Sequence, residues 1–135
     1  MIRKYPFTLA LVAVIWVLCL MPIPENPLSH VSMIDKWTHL VMYGTLCLVL
    51  WCEFTHHGTG RALSIGRWLP LWLLPVVMSG IIELVQRYCT GGMRSGEWLD
   101  FAANSLGASL VQPIGYLYYI WYSRHRRNKH GIEKR

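Results

Sequence analysis

A chain of 135 residues is enough for one domain, and 53% hydrophobic residues against 15% charged is too apolar for an ordinary water-soluble domain of that size. The net charge of +6 does not point to nucleic acid, because the basic residues gather near the ends, above all at Arg124, Arg126, Arg127, Lys129, Lys134 and Arg135, beside apolar sequence. A basic tail lying against anionic lipid accounts for them. The four cysteines, Cys19, Cys47, Cys52 and Cys89, form no CxxC pair and mostly sit inside apolar runs, so they read as small buried hydrophobes and not as a disulfide or zinc framework.

In chain order, the first apolar run follows the basic pair Arg3 and Lys4 and extends from Pro6 to about residue 22. No small-x-small cleavage site follows it, so it is expected to be a retained helix and not a cleaved signal peptide. Pro22, Pro24 and Pro27 stiffen the first connection. Further apolar runs cover about residues 37–54, 68–88 and 99–122, separated by turn sequence at His56–Gly60 and at Thr90–Gly92. Each run suits the ~30 Å hydrocarbon layer at ~1.5 Å per residue. The short connections predict that consecutive helices pack antiparallel. The expected fold is all-α: residues 1–123 form a polytopic membrane protein, an antiparallel four-helix transmembrane bundle, and residues 124–135 form a basic tail.

The positive-inside rule sets the orientation. Of the 13 lysines and arginines, only Lys36, Arg87 and Arg94 fall on the side opposite the termini, which places both termini and the His56 connection in the cytoplasm. The unusual polar residues of three runs then share one outward layer. Asp35, Lys36 and His39 open the second run, Glu83 and Gln86 lie near the end of the third, and Arg94, Glu97, Asp100 and Asn104 open the fourth. At ~1.5 Å per residue, His39, Glu83 and Asn104 are expected roughly 5 to 10 Å below the outer interface.

Spacing makes each set a single stripe. Asp35, His39 and Tyr43 recur every four residues, Glu83 and Gln86 are three apart, and Glu97, Asp100, Asn104 and Gly107 follow at helical intervals. Stripes at one depth face each other because lipid offers no hydrogen-bond partners. Ala103 and Gly107 are small enough to allow close helix approach there.

These pieces, Asp35-Lys36-x-x-His39-x-x-x-Tyr43, Glu83-x-x-Gln86 and Arg94 through Asp100 and Asn104 to Gly107, resemble the VanZ-like family of small bacterial membrane proteins. The family takes its name from a protein associated with low-level teicoplanin resistance. The resemblance spans Asp35 to Gly107 and implies a multi-pass protein of the bacterial inner membrane with a cell-envelope context, while supplying no defined reaction.

An outward pocket of this composition suits an envelope lipid or lipid-linked cell-wall precursor, either bound or modified. Lys36 and Arg94 would hold a phosphate or carboxylate. Glu83 and Asp100 would divide the roles of acid and base, with His39 as proton shuttle. Gln86, Asn104, Asp35 and Glu97 would orient the ligand, and Tyr43 would close the floor. His39, Glu83 and Asp100 could also ligate a divalent ion, but their spacing matches no standard metal motif and no metal ligand is assigned. No motif specifies a cofactor, a Ser or Cys nucleophile, a P-loop or an oligomeric state. Two other uses fit the same residues. Four acids facing three bases would neutralise themselves as a structural network that fixes helix register. A membrane-embedded glutamate also suits a small proton-coupled transporter, although its acid would sit nearer mid-membrane.

Overall fold

The computed structural model describes residues 4–21, 32–58, 63–89 and 97–132, and within them the chain is all-α. Four helices account for nearly all of it: α1 (Pro6–Leu20), α2 (Ser32–His57), α3 (Ile65–Cys89) and α4 (Trp98–Ile132). Local sequence explains their ends. Pro6 pre-sets the first turn of α1. Asp35 and Asp100 sit in the first turns of α2 and α4, while His56, His57 and Arg87 occupy the last turns of α2 and α3. Each charge therefore complements the helix dipole beside it. The helices run on through Pro70, Pro75 and Pro113.

Two of the four, over Ile34–His57 and Ile65–Cys89, are long and apolar enough to cross a membrane. The sequence suggested four such segments. α1 is apolar but has 15 residues, about 22 Å of helix and short of a ~30 Å layer. α4 is longer than expected: it continues past residue 122 through the basic stretch, which is helical where the sequence suggested a separate tail.

Helix directions alternate. Phe7 and Thr8 at the start of α1 meet Glu53 near the end of α2, and Ser79 and Glu83 of α3 meet Asn104 and Glu97 in reverse order, so sequential neighbours are antiparallel, as expected. α2 and α4 consequently run parallel, and they form the most extensive pairing in the molecule. Along their seam Lys36 meets Asp100, His39 meets Asn104, Trp51 meets Gln112, and Phe54 packs on Tyr119. The backbones close in where side chains vanish: a Cβ on Gly107 would strike the carbonyl of Leu40, and one on Gly115 would strike the indole of Trp51.

Two apolar clusters fill the interior. One joins Cys47, Trp51, Leu71, Ala108, Val111 and Tyr119; the other joins Ile15 and Cys19 of α1 to Tyr43, Leu46 and Ile82. Tyr119 is therefore core, whereas Trp37, Trp98 and Trp121 are exposed. Large apolar side chains are exposed on every helix, as at Phe7, Val41, Leu74 and Leu117, the basic end of α4 is exposed as well, and the buried set includes His39, Glu53, Glu83, Gln86, Asp100, Asn104 and Gln112. So many exposed large apolar side chains together with so many buried polar groups are unusual for a water-soluble domain.

Gly107→Ala should lower stability by about 1–3 kcal/mol, because the colliding atom is backbone and cannot rotate away. Gly66→Ala meets nothing within 4 Å and should be neutral or slightly stabilising. Thermal unfolding in detergent compares the two, and equal midpoints would refute the close α2–α4 approach.

Candidate functional site

At the N-terminal ends of α2 and α4, the side chain of Lys36 crosses between helices. Its Nζ donates to Asp100 Oδ1 at 2.8 Å and to Glu97 Oε2 at 2.9 Å. Asp100 is buried while Glu97 is about half exposed, so the bridge runs from the interior to the surface. The expected phosphate-binding lysine is thus already neutralised by two carboxylates.

One turn deeper, Asn104 ties three helices together. Its Nδ2 donates to Ser79 Oγ at 2.8 Å on α3, and its Oδ1 lies 3.1 Å from Nδ1 of His39 on α2. With an acceptor facing Nδ1, that ring nitrogen carries the proton in the neutral imidazole. Nε2 then points its lone pair toward Asp35, whose Oδ1 is 3.9 Å away, beyond hydrogen-bond range. Ligand atoms of Asp35, His39 and Asp100 all lie within 4.8 Å of one another. The structure thus groups His39 and Asp100 with Asp35, where spacing had suggested Glu83.

Glu83 occupies the flank of this group on α3. Its Oε2 accepts the backbone N–H of Glu97 at 3.2 Å, and its buried Oε1 has no hydrogen-bond partner among the described residues. Asp100, Asp35 and Lys36 are all within electrostatic reach of it. The two proposed catalytic carboxylates therefore share one environment. Tyr43, one turn below His39, is fully buried against the second apolar cluster.

One expected member falls elsewhere. Gln86 is buried but turns from the cluster, donating through Nε2 to the carbonyl of Cys19 at 2.8 Å and so capping the last turn of α1. Arg94 lies outside the described residues. Sequence reasoning also missed Glu53, which lies near the C-terminal end of α2, away from the polar stripes. It is buried and accepts hydrogen bonds from the backbone N–H groups of Phe7 and Thr8 at 2.9 and 3.0 Å, and from the Thr8 hydroxyl. It thereby supplies the N-terminal cap that α1 lacks from its own side chains.

Beside Glu83, a groove of about 430 Å³ runs between α3 and α4. Val77, Ile81, Leu84 and Phe101 wall it, and Glu83, Arg87 and Glu97 lie together with Trp98 at one end. Arg87, which the sequence counted among the bases of the outward cluster, is the basic residue of this groove. A larger groove of about 650 Å³ lies between α1 and α2 around Cys52 and His56, at the opposite end from the polar cluster. No family model matches the chain, and no curated protein or solved structure shows significant similarity to it.

Removing one partner of the buried bridge should cost more than removing both. Asp100→Ala leaves Lys36 only the half-exposed Glu97 and should destabilise by about 2–4 kcal/mol, whereas the double variant Lys36→Met/Asp100→Leu should recover at least about 1 kcal/mol of that loss. A double-mutant cycle in detergent reads the coupling, and strictly additive effects would show that the pair does not interact.

Proposed function

We propose that this chain is a four-span membrane protein of the bacterial inner membrane, with both termini cytoplasmic and the polar cluster facing outward, and that the cluster and its adjoining groove bind an envelope lipid or a lipid-linked cell-wall precursor. The single observation that carries this reading is the groove between α3 and α4. Its apolar walls suit an acyl or polyprenyl chain, and the charged end beside Glu83 and Arg87 suits a polar head. Arg87, and not the saturated Lys36, is the group that would hold a phosphate or carboxylate, because its planar fork accommodates two anionic oxygens at once. Glu83, with a buried unpartnered oxygen, would accept from the head group's hydroxyl or amide donors.

The surface supports the membrane assignment: large apolar side chains are exposed on all four helices while His39, Glu53, Glu83 and Asp100 are buried. In this reading α1 crosses a locally thinned layer, and the basic end of α4 extends into the cytoplasm against anionic lipid. The resemblance to VanZ-like proteins fits an envelope ligand and links the chain to glycopeptide tolerance.

Two measurements test the proposal. Fused after residue 132, green fluorescent protein should fluoresce and alkaline phosphatase should remain inactive; the opposite pattern would invert the topology. Mass spectrometry of the detergent-purified protein should find a co-purifying anionic lipid, depleted about tenfold or more in Arg87→Ala, the expected loss of one charge-assisted contact. Retention at the native level in both Arg87→Ala and Glu83→Gln would exclude the groove as the binding site.

A further inference from the structure

We propose that Asp35, His39 and Asp100 form a binding site for one divalent transition-metal ion. The inference goes beyond lipid binding and rests on that reading only in requiring the pocket to be reachable from water.

Three observations converge on it. First, the three side chains come from two helices, yet their ligand atoms lie within 4.8 Å of one another. Ligands held at ~2.0–2.2 Å from a metal are themselves roughly 3–4 Å apart, so small side-chain rotations complete the geometry. Second, the ring of His39 is already oriented. Asn104 engages Nδ1, and Nε2 lies 3.9 Å from Asp35 Oδ1. An imidazole fixed through its other nitrogen is the usual outer-shell arrangement of a metal-binding histidine. His39 is buried, so its ring is held in that orientation.

Third, the local charge is unbalanced. Among the described residues Asp35, Glu83, Glu97 and Asp100 are answered by Lys36 within the cluster and by Arg87 on the groove side. Among the described residues carboxylates therefore outnumber the basic groups, as a cation site requires. Asp35 is about half exposed and gives a hydrated ion its approach. One imidazole with two carboxylates favours Mn²⁺ or Zn²⁺ over Mg²⁺ or Ca²⁺, which prefer oxygen alone.

The test uses the full chain, free of any affinity tag, in lipid-free detergent after chelator treatment, titrated with Mn²⁺ while the paramagnetic resonance signal of the free ion is followed. The site requires about one Mn²⁺ per chain, displaced by Zn²⁺ and resistant to excess Mg²⁺, with binding lost in Asp35→Asn and in His39→Ala. Lys36→Met removes a competing ammonium and should tighten binding on the order of tenfold, a gain that a purely structural cluster does not produce. Absence of stoichiometric binding, or equal binding by native protein and Asp35→Asn, would overturn the proposal. Asp35 is partly exposed and its replacement isosteric, so the test stands even if His39→Ala fails to fold. Because no lipid is present, a negative titration removes the metal and leaves the lipid reading to be judged by co-purification.

Discussion

The feature on which the rest of the structure depends is the close parallel approach of α2 and α4 at Gly107. With no side chain there, the backbone of α4 comes against the Leu40 carbonyl. That contact fixes register for the whole seam. It puts Lys36 opposite Asp100 and His39 opposite Asn104 above it, and Trp51 against Gly115 and Gln112 below. Gly44 lies against the same stretch, near the Gly107 carbonyl. Where neighbouring surfaces are all apolar, hydrophobic burial cannot favour one helix pair over another, and van der Waals contact between small residues together with a few polar pairs decides which helices meet.

Once the seam is set, electrostatics shapes the pocket. A lysine that might have received an anionic ligand is neutralised from two sides, and the carboxylates left over belong to Asp35 on α2 and Glu83 on α3. The Asn104 amide holds His39 and Ser79 at once, so the three helices cannot slide independently without breaking a buried hydrogen bond. The same arrangement serves structure and binding together: saturated contacts lock the register, and Oε1 of Glu83 is left without a hydrogen-bond partner among the described residues.

The stripes in the sequence carried most of this arrangement, for a physical reason. Polar residues at three- and four-residue intervals within apolar sequence must turn inward, and the same constraint sets them at a common depth. That logic brings His39, Asp100 and Asn104 together as the structure does. It fails for Gln86, because periodicity defines a face of α3 but not which neighbour covers it, and that face turns partly to α1. It fails for Glu53 because a carboxylate near a helix end has an inexpensive alternative in water, and nothing local reveals that the first turn of α1 lacks a cap of its own. Basic residues carry no instruction for a helix to stop, and α4 runs on through them to Ile132.

These two misses concern one element. α1 is short and carries no polar stripe, so it has no register of its own against the other helices. Its position is imposed from outside, by Glu53 of α2 at its first turn and by Gln86 of α3 at its last. Between those two points Ile15 and Cys19 pack on Tyr43, Leu46 and Ile82, directly beneath His39 and Ser79. α1 thus closes the bundle on the side that the α2–α4 seam leaves open. Glu53 and Gln86 are buried polar residues whose task is to hold a wall, while the buried carboxylate Glu83 lines the groove between α3 and α4. Burial of an ionisable group alone does not separate these roles; the number of its lone pairs already satisfied by backbone does, and on that measure Glu53 is complete and Glu83 is not.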